Sequence, residues 1–359
     1  MKERKRTYTL LTPGPVPLLQ QTRKILSEPA FHHRSPEFKR LFKELQRKLK
    51  YIFKTKNDVL ILNSSGTGAM EASLINTLSP GDQVICVCGG KFGERWRDIA
   101  LSHDIKTHSL SMPWGQSLCL KEAKKSLKQY PKAKAFLVSA CETSTGTEHP
   151  IAELSLLLKQ YPNTLFMVDG ITGLGAMKLN MDNMGIDVLI GGSQKSFMLP
   201  AGLAFIALSD KAWKFQKQST CPRYYFNLAE EKEAQKTGQT AFSSNVALIK
   251  ALGNNLDHFQ KKGLKHFIHR SNSLAQVTRD FCNTLNLPLL SERPASSVTT
   301  IQMPKGVSGS QVQNQMEKEN QVIVAGGQGV LKDKIIRIGH LGPITNQNLI
   351  RGLTALGQQ

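Results

Sequence analysis

The sequence predicts an α/β fold, with a mostly parallel central sheet covered by helices on both faces and a smaller C-terminal α+β unit. Three observations predict it. Short continuous apolar runs recur at 58–62 (DVLIL), 83–88 (QVICVC), 134–139 (KAFLVS), 164–168 (TLFMV), 187–190 (DVLI) and 203–208 (LAFIAL). Helical patterns fall between several of them, at about 67–78, 93–103, 120–130 and 151–160. Continuous apolar strands alternating with helices mark a sheet buried on both faces. After about residue 245 the texture changes to a helix-rich stretch ending near 286.

The elements follow in order. Phe38, Leu41, Phe42, Leu45, Leu49, Ile52 and Phe53 share one helical face, so residues about 36–53 form an amphipathic helix, with Pro36 in its first turn after Ser35. In the C-terminal unit SVTTIQM (297–303) reads as a strand, followed by a polar helix, QVIVAGG (321–327), IIRIGHLG (335–342) and a last helix capped near Thr345. There is no internal repeat, heptad run or low-complexity linker.

Composition narrows the class. The 359 residues are 40% apolar, enough for a sizeable core. No run approaches the roughly 18 apolar residues of a membrane span. The start, MKERKRTYTLL, is basic but lacks the apolar core and cleavage site of a secretory signal. Cys86, Cys88, Cys119, Cys141, Cys221 and Cys282 are scattered, with no CxxC pair and no zinc spacing. Reduced thiols and a cytoplasmic location are therefore expected. The net charge of +20 is spread over many segments, without a basic block interleaved with aromatics, so specific nucleic-acid binding is not expected. His266 and His269, three apart on a helix, read as a solvated face.

Four features carry chemistry. Asn63-Ser64-Ser65-Gly66-Thr67-Gly68 follows an apolar strand and opens a helix, where free N–H groups and the helix dipole favour an anion. Taken alone, it is also an ordinary strand–helix turn. Asp169 ends an apolar strand at the sheet edge where open α/β folds bind ligands, although an aspartate there also serves as a helix cap. Lys195, in GGSQKSF, lies just beyond the next strand between apolar stretches. Most lysines in loops are solvated, but burying one costs several kcal/mol unless it is paired or neutral. Arg337 sits inside IIRIGHLG, where its guanidinium fork wants a carboxylate, from a substrate or from a structural ion pair.

Together these form a phosphate cradle, a carboxylate, a semi-buried lysine and a carboxylate-binding arginine. Pyridoxal 5'-phosphate chemistry requires that set. A desolvated neutral lysine forms the Schiff base, an aspartate keeps the pyridine nitrogen protonated, and the helix start holds the phosphate.

At these residues the sequence resembles the class V aminotransferases of fold type I, in the alanine–glyoxylate, serine–glyoxylate and serine–pyruvate group. LLTPGPVPL (10–18), HRSPEF (33–38), SSGTGAMEA (64–72), GGKFGERW (89–96), ETSTG (142–146), the block from VDGITG to SQKSFMLPAGLAF (168–205), KTGQTAF (236–242) and VAGGQGVLKDKIIRIGHLG (324–342) follow in the family's order. The resemblance implies that Lys195 is the Schiff-base lysine and proton carrier, and that Asp169 pairs with the pyridine nitrogen. Ser65, Gly66 and Thr67 would hold the phosphate with Gln194 nearby, Phe92 would stack on the ring, and Thr143 would bond near the ring hydroxyl. Arg337 would hold the substrate carboxylate, and Thr237 and Thr240 would reach the phosphate of the neighbouring subunit of a homodimer. Relatives often carry Trp or Tyr at the place of Phe92, and some carry Tyr at that of Thr237.

The resemblance further implies a segment at 1–21 lining the entrance, a large cofactor-binding domain at 22–258 and a small domain at 259–359. The expected reaction moves an amino group from serine or alanine to glyoxylate or pyruvate. The alternatives are another reaction on the same fold (aspartate or aminoethylphosphonate transamination, or cysteine desulfuration) and a non-catalytic anion binder.

Overall fold

A computed structural model describes residues 8–359. Its first two-thirds alternate strands and helices: β1 (Thr9–Leu10), α1 (Gln20–Leu26), α2 (Pro36–Phe53), β2 (Val59–Leu62), α3 (Gly66–Thr77), β3 (Gln83–Cys88), α4 (Lys91–Ser102), β4 (Lys106–Ser111), α5 (Leu120–Gln129), β5 (Ala133–Ser139), the short pair β6 (Cys141–Glu142) and β7 (Thr147–Glu148), α6 (Ile151–Leu158), β8 (Leu165–Asp169), β9 (Val188–Gly192) and β10 (Ala204–Leu208). Then come α7 (Asp210–Gln218), α8 (Leu228–Lys236), α9 (Val246–Lys262), α10 (Leu264–Thr284), β11 (Val298–Gln302), α11 (Gly309–Asn320), β12 (Val322–Ile323), β13 (Ala325–Gly326), β14 (Ile335–Gly339) and α12 (Asn346–Gly357).

Seven strands form the central sheet in the order β2-β10-β9-β8-β5-β3-β4. The β3, β4, β5, β8 and β9 pairings are parallel, whereas β10 runs antiparallel to both β9 and β2. Alternation along each strand splits the core in two. Val59, Ile61, Phe136, Val138, Phe166, Val168, Leu189 and Phe205 face one way, onto Phe38, Phe42, Leu45 and Leu49 of α2. Leu60, Leu62, Leu137, Met167, Val188, Ile190 and Ile206 face the other way, onto Ala69, Met70 and Leu74 of α3 and Trp96 of α4. Ser35 caps α2 by accepting from Phe38 N, with Pro36 at its start.

The C-terminal unit packs its own core. Ile301, Ile336 and Ile338 of its sheet meet Leu274, Val312, Met316, Leu349 and Leu353 from α10, α11 and α12. The run QVIVAGG (321–327) supplies two short strands. Val322 and Ile323 pair in parallel with Thr9 and Leu10, while Ala325 and Gly326 pair with β14. The N-terminal segment occupies the edge that a single longer strand would have used. It continues from there into the site, where Val16 N donates to Gln194 O at 3.2 Å. Among the described residues no helix is long and apolar enough to cross a membrane.

Candidate active site

The cleft opens at the C-terminal ends of the parallel strands, where β8 delivers Asp169 and the turn after β9 delivers Lys195. Asp169 lies opposite Ile190 of β9, and Gly170 N donates to Ile190 O at 3.0 Å. The Lys195 turn is tightly held. Ser193 Oγ donates to Pro200 O at 2.6 Å and accepts from Leu203 N at 3.2 Å. Asn255 Nδ2 of α9 donates to Phe197 O at 2.8 Å and to Met198 O at 3.0 Å. Met198 has φ near +58°, a conformation unusual outside glycine that the surrounding bonds enforce.

Lys195 is buried, and its ammonium has no carboxylate partner among the described residues. Nζ donates to Pro13 O at 2.8 Å. Gly14 faces it with φ +143°, and a Cβ there would stand 2.5 Å from Nζ, so the backbone passes close over the lysine. Burial, then the charge of Arg337, push the Lys195 pKa down to about 8, against upward pulls from Cys141 and Asp169, with Arg95 adding the smallest effect. Burial likewise lifts Asp169 to about 6, although Ile171 N donates to Oδ1 at 2.8 Å and Ser139 Oγ to Oδ2 at 3.3 Å.

Arg337 projects from β14 across the cleft. Nε donates to Gly326 O and Nη1 to Thr143 O, both at 2.9 Å. It is buried, and its bonds within the described residues go to carbonyls rather than to a carboxylate. Two carbonyls fix its plane while its charge stays unneutralised, which suits an incoming carboxylate. Thr143 shares a 2.7 Å bond with Thr172 through their hydroxyls.

The start of α3 lies against the turn after Asp169, since a Cβ on Gly66 would collide with Ile171. Its N-cap, Ser65, makes no side-chain capping bond and is exposed, so the first N–H groups of the helix stay free for an anion. Gln194 Oε1 is buried without a hydrogen-bond partner, beside Gly192. Phe92 begins the neighbouring helix α4, within reach of this turn through Arg95. The Arg95 guanidinium carbon is 4.7 Å from the Phe92 ring centroid, and Nη1 donates to Thr67 Oγ1 at 3.1 Å.

Direct contacts link several of the expected residues: Gly66 and Gln194 both approach Ile171 or its neighbours, Ile171 N bonds Asp169, Thr67 reaches Phe92 through Arg95, and Arg337 bonds Thr143. Thr237 and Thr240 bond only locally within this chain, to Ala234 O at 2.8 Å and Phe242 O at 2.6 Å. Their loop is tied to Asn63, just ahead of α3, through a 2.8 Å bond from Asn63 Nδ2 to Ser243 O.

Sequence reasoning missed three residues that shape the cleft: Asn255, Arg95 and Glu142. The buried Glu142 carboxylate accepts from Phe92 N at 3.0 Å, Gly93 N at 2.9 Å and Ser144 N at 3.1 Å, as well as from Ser144 Oγ. It thus caps α4 from another element, and burial raises its pKa against those hydrogen bonds.

The unneutralised arginine, the lysine driven towards neutrality, the free helix start and the unpartnered Gln194 oxygen fit pyridoxal 5'-phosphate. The family Aminotransferase class-V matches residues 18–346. The chain belongs to the class V aminotransferases. It is 38% identical over 351 residues to a protein of Synechococcus sp. named the small subunit of a soluble hydrogenase, covering 97% of this chain and 91% of that one. It is 30% identical over 352 residues to the L-aspartate–glyoxylate aminotransferase of Paracoccus denitrificans, covering 96% and 89%. The structure of an aspartate aminotransferase of subgroup IV from Thermus thermophilus superposes with a TM-score of 0.90 at 30% identity, covering 97% and 99%. This enzyme is a pyridoxal-phosphate-dependent aminotransferase of fold type I, acting on an amino acid and a 2-oxo acid.

Proposed function

We propose that this aminotransferase takes the amino group of a small amino acid, serine or alanine, and passes it to glyoxylate or pyruvate. The observation that carries the reading is Arg337: a single buried guanidinium, oriented by two carbonyls and lacking a carboxylate, set across the cleft from Lys195. It matches the one carboxylate that every such donor and acceptor shares.

When bound, pyridoxal 5'-phosphate supplies an aldehyde that captures an amine and a ring that accepts the electron pair released at the donor Cα. The residues of the chain do the rest. Lys195 Nζ, lowered to about 8, is neutral far more often near neutral pH than an ordinary lysine, so it serves as nucleophile and, once released, as the base that accepts the α-proton. Asp169 would pair with the protonated pyridine nitrogen, whose charge would keep the carboxylate ionised despite its burial. Arg337 fixes the carboxylate so that the Cα–H bond is the one aligned for cleavage. Phe92 would stack on the ring, and Thr143 would bond near its hydroxyl. Ser65, Gly66, Thr67 and Gln194 would hold the phosphate, with Thr237 and Thr240 contributed by the second subunit of a homodimer. The dimer reading is supported by Tyr224, 80% exposed, and Tyr225, 49% exposed, which cluster with Phe242 beside that loop.

We divide the chain into an entrance segment at 1–21, whose residues 1–7 lie outside those described, a large domain at 22–258 and a small one at 259–359. The second boundary lies in the last turn of α9, ahead of Gly263. A cytoplasmic location accords with the unpaired cysteines.

A second reading takes aspartate as donor. The unpaired Arg95 and the names of the Paracoccus and Thermus proteins favour it. Single amino acids added to the holoprotein separate the two readings when conversion of the bound aldehyde to its amine form is followed spectroscopically. Serine or alanine converting faster than aspartate is expected, and conversion by aspartate alone overturns the first reading.

A further inference from the structure

We propose that Arg95 is the cationic arm of the phosphate site, its guanidinium bridging Thr67 and a phosphate oxygen of the cofactor. The inference rests on the functional reading above, which supplies the ligand.

The groups already placed around the phosphate are all neutral: free N–H groups of α3, the hydroxyls of Ser65 and Thr67, and the amide of Gln194. A phosphate monoester carries close to two negative charges at neutral pH. A half-buried dianion held only by neutral donors and a helix dipole leaves most of its charge unopposed. Arg95 supplies the missing charge. Nη1 lies 3.1 Å from Thr67 Oγ1, on the second residue of α3, whose own N–H is one of the free donors of the cradle.

The surroundings of Arg95 leave its charge for a ligand. The other cations of α4 are paired, Lys91 with Glu94 at 3.2 Å and Arg97 with Asp98 at 2.8 Å, whereas Arg95 has no carboxylate partner among the described residues. Residues three apart share a helix face, so Arg95 stands with Phe92, its guanidinium 4.7 Å from the ring centroid. That contact holds the fork in place at the rim of the ring site. The capping of α4 by Glu142 fixes the helix start that carries both residues.

A guanidinium so placed also suits the second carboxylate of an acidic donor. We commit to the phosphate because the hydrogen bond runs to the helix start. With Arg95 engaged there, its fork is not available to a donor side chain, consistent with small substrates.

The test compares wild-type apoprotein with Arg95→Met and Arg95→Lys. Fluorescence titration gives the affinity for pyridoxal 5'-phosphate and, separately, for pyridoxal, which lacks the phosphate. Thermal melts with and without inorganic phosphate report the anion site directly. Arg95→Met is expected to bind pyridoxal 5'-phosphate roughly ten- to a hundredfold more weakly, as for loss of a hydrogen bond to a charged group. Its pyridoxal affinity and its melt without phosphate should match wild type, while the stabilisation by inorganic phosphate disappears. Arg95→Lys should fall between the two. Equal weakening for both cofactor forms overturns the proposal, because it assigns Arg95 to the ring through Phe92. Unchanged affinity overturns it too, as does a defect confined to aspartate turnover. Wild-type protein that takes up no pyridoxal 5'-phosphate at all is a separate failure, of the functional reading itself.

Discussion

Lys195 and Arg337 are two cations placed where cations are costly, and neither is neutralised by a carboxylate. The cost acts differently on each. Lysine can lose its proton, so burial and the neighbouring arginines lower it to about 8. Arginine cannot, so it stays charged and waits for an anion. The sign of the lysine shift gives a pH prediction. Below about 8 the amine is mostly protonated and unreactive, and above it mostly neutral. The rate at which apoprotein captures pyridoxal 5'-phosphate should therefore rise as pH increases through about 8 and then level off; a rate flat from pH 6 to 9 contradicts this. For Arg337→Lys, loss of the bidentate fork should raise KM for the amino donor by ten- to a hundredfold or so, about 1.4–2.7 kcal/mol, with cofactor affinity unchanged. Steady-state kinetics with a parallel cofactor titration check it.

At the scale of elements, the cleft is assembled by side chains that fasten one backbone segment to another. Glu142 fastens the start of α4 to the β6 segment, and Asn255 fastens the Lys195 turn to α9. Glu142→Gln keeps the shape but turns an N–H₂ towards N–H donors that a carboxylate oxygen now satisfies. It should cost about 1–3 kcal/mol of stability and alter the circular dichroism of the bound cofactor, since Phe92 N is one of those donors. Equilibrium denaturation and visible-range dichroism measure the two effects. These same elements show what was legible in the sequence. Six of the seven strands of the central sheet were legible because burial on both faces demands continuous apolar runs. Asp169 and Lys195 could be placed at one edge because parallel strands end together. Strand β4, KTHSLS, went unread: it lies at the sheet edge, half-exposed, and carries no apolar signal. The reversed direction of β10 was equally hidden, because an apolar run has no polarity. Arg95, Glu142 and Asn255 act on residues 28, 50 and 58 positions away, a pairing that only the folded chain reveals.

For the molecule as a whole, the N-terminal segment ties its two parts together at the site. Thr9 and Leu10 pair with the C-terminal unit, Pro13 O accepts from Lys195, and Val16 N reaches Gln194. Small-domain motion would thus be felt at the lysine. The proposed homodimer gives a prediction at this scale. Tyr225→Glu, in the exposed aromatic cluster, should shift the protein from dimer towards monomer in sedimentation velocity and weaken cofactor retention together. Loss of the dimer with full cofactor retention would show that Thr237 and Thr240 do not complete a neighbour's site. The charge of +20 finds no role in this account beyond a general attraction for anionic substrates.

The most direct test of the central claim, that one cleft lysine carries the cofactor, is reduction of the holoprotein with borohydride followed by peptide mass mapping. The account predicts a single phosphopyridoxyl adduct on Lys195, absent from Lys195→Ala; an adduct on any other lysine, or none in holoprotein that retains its cofactor, would contradict it.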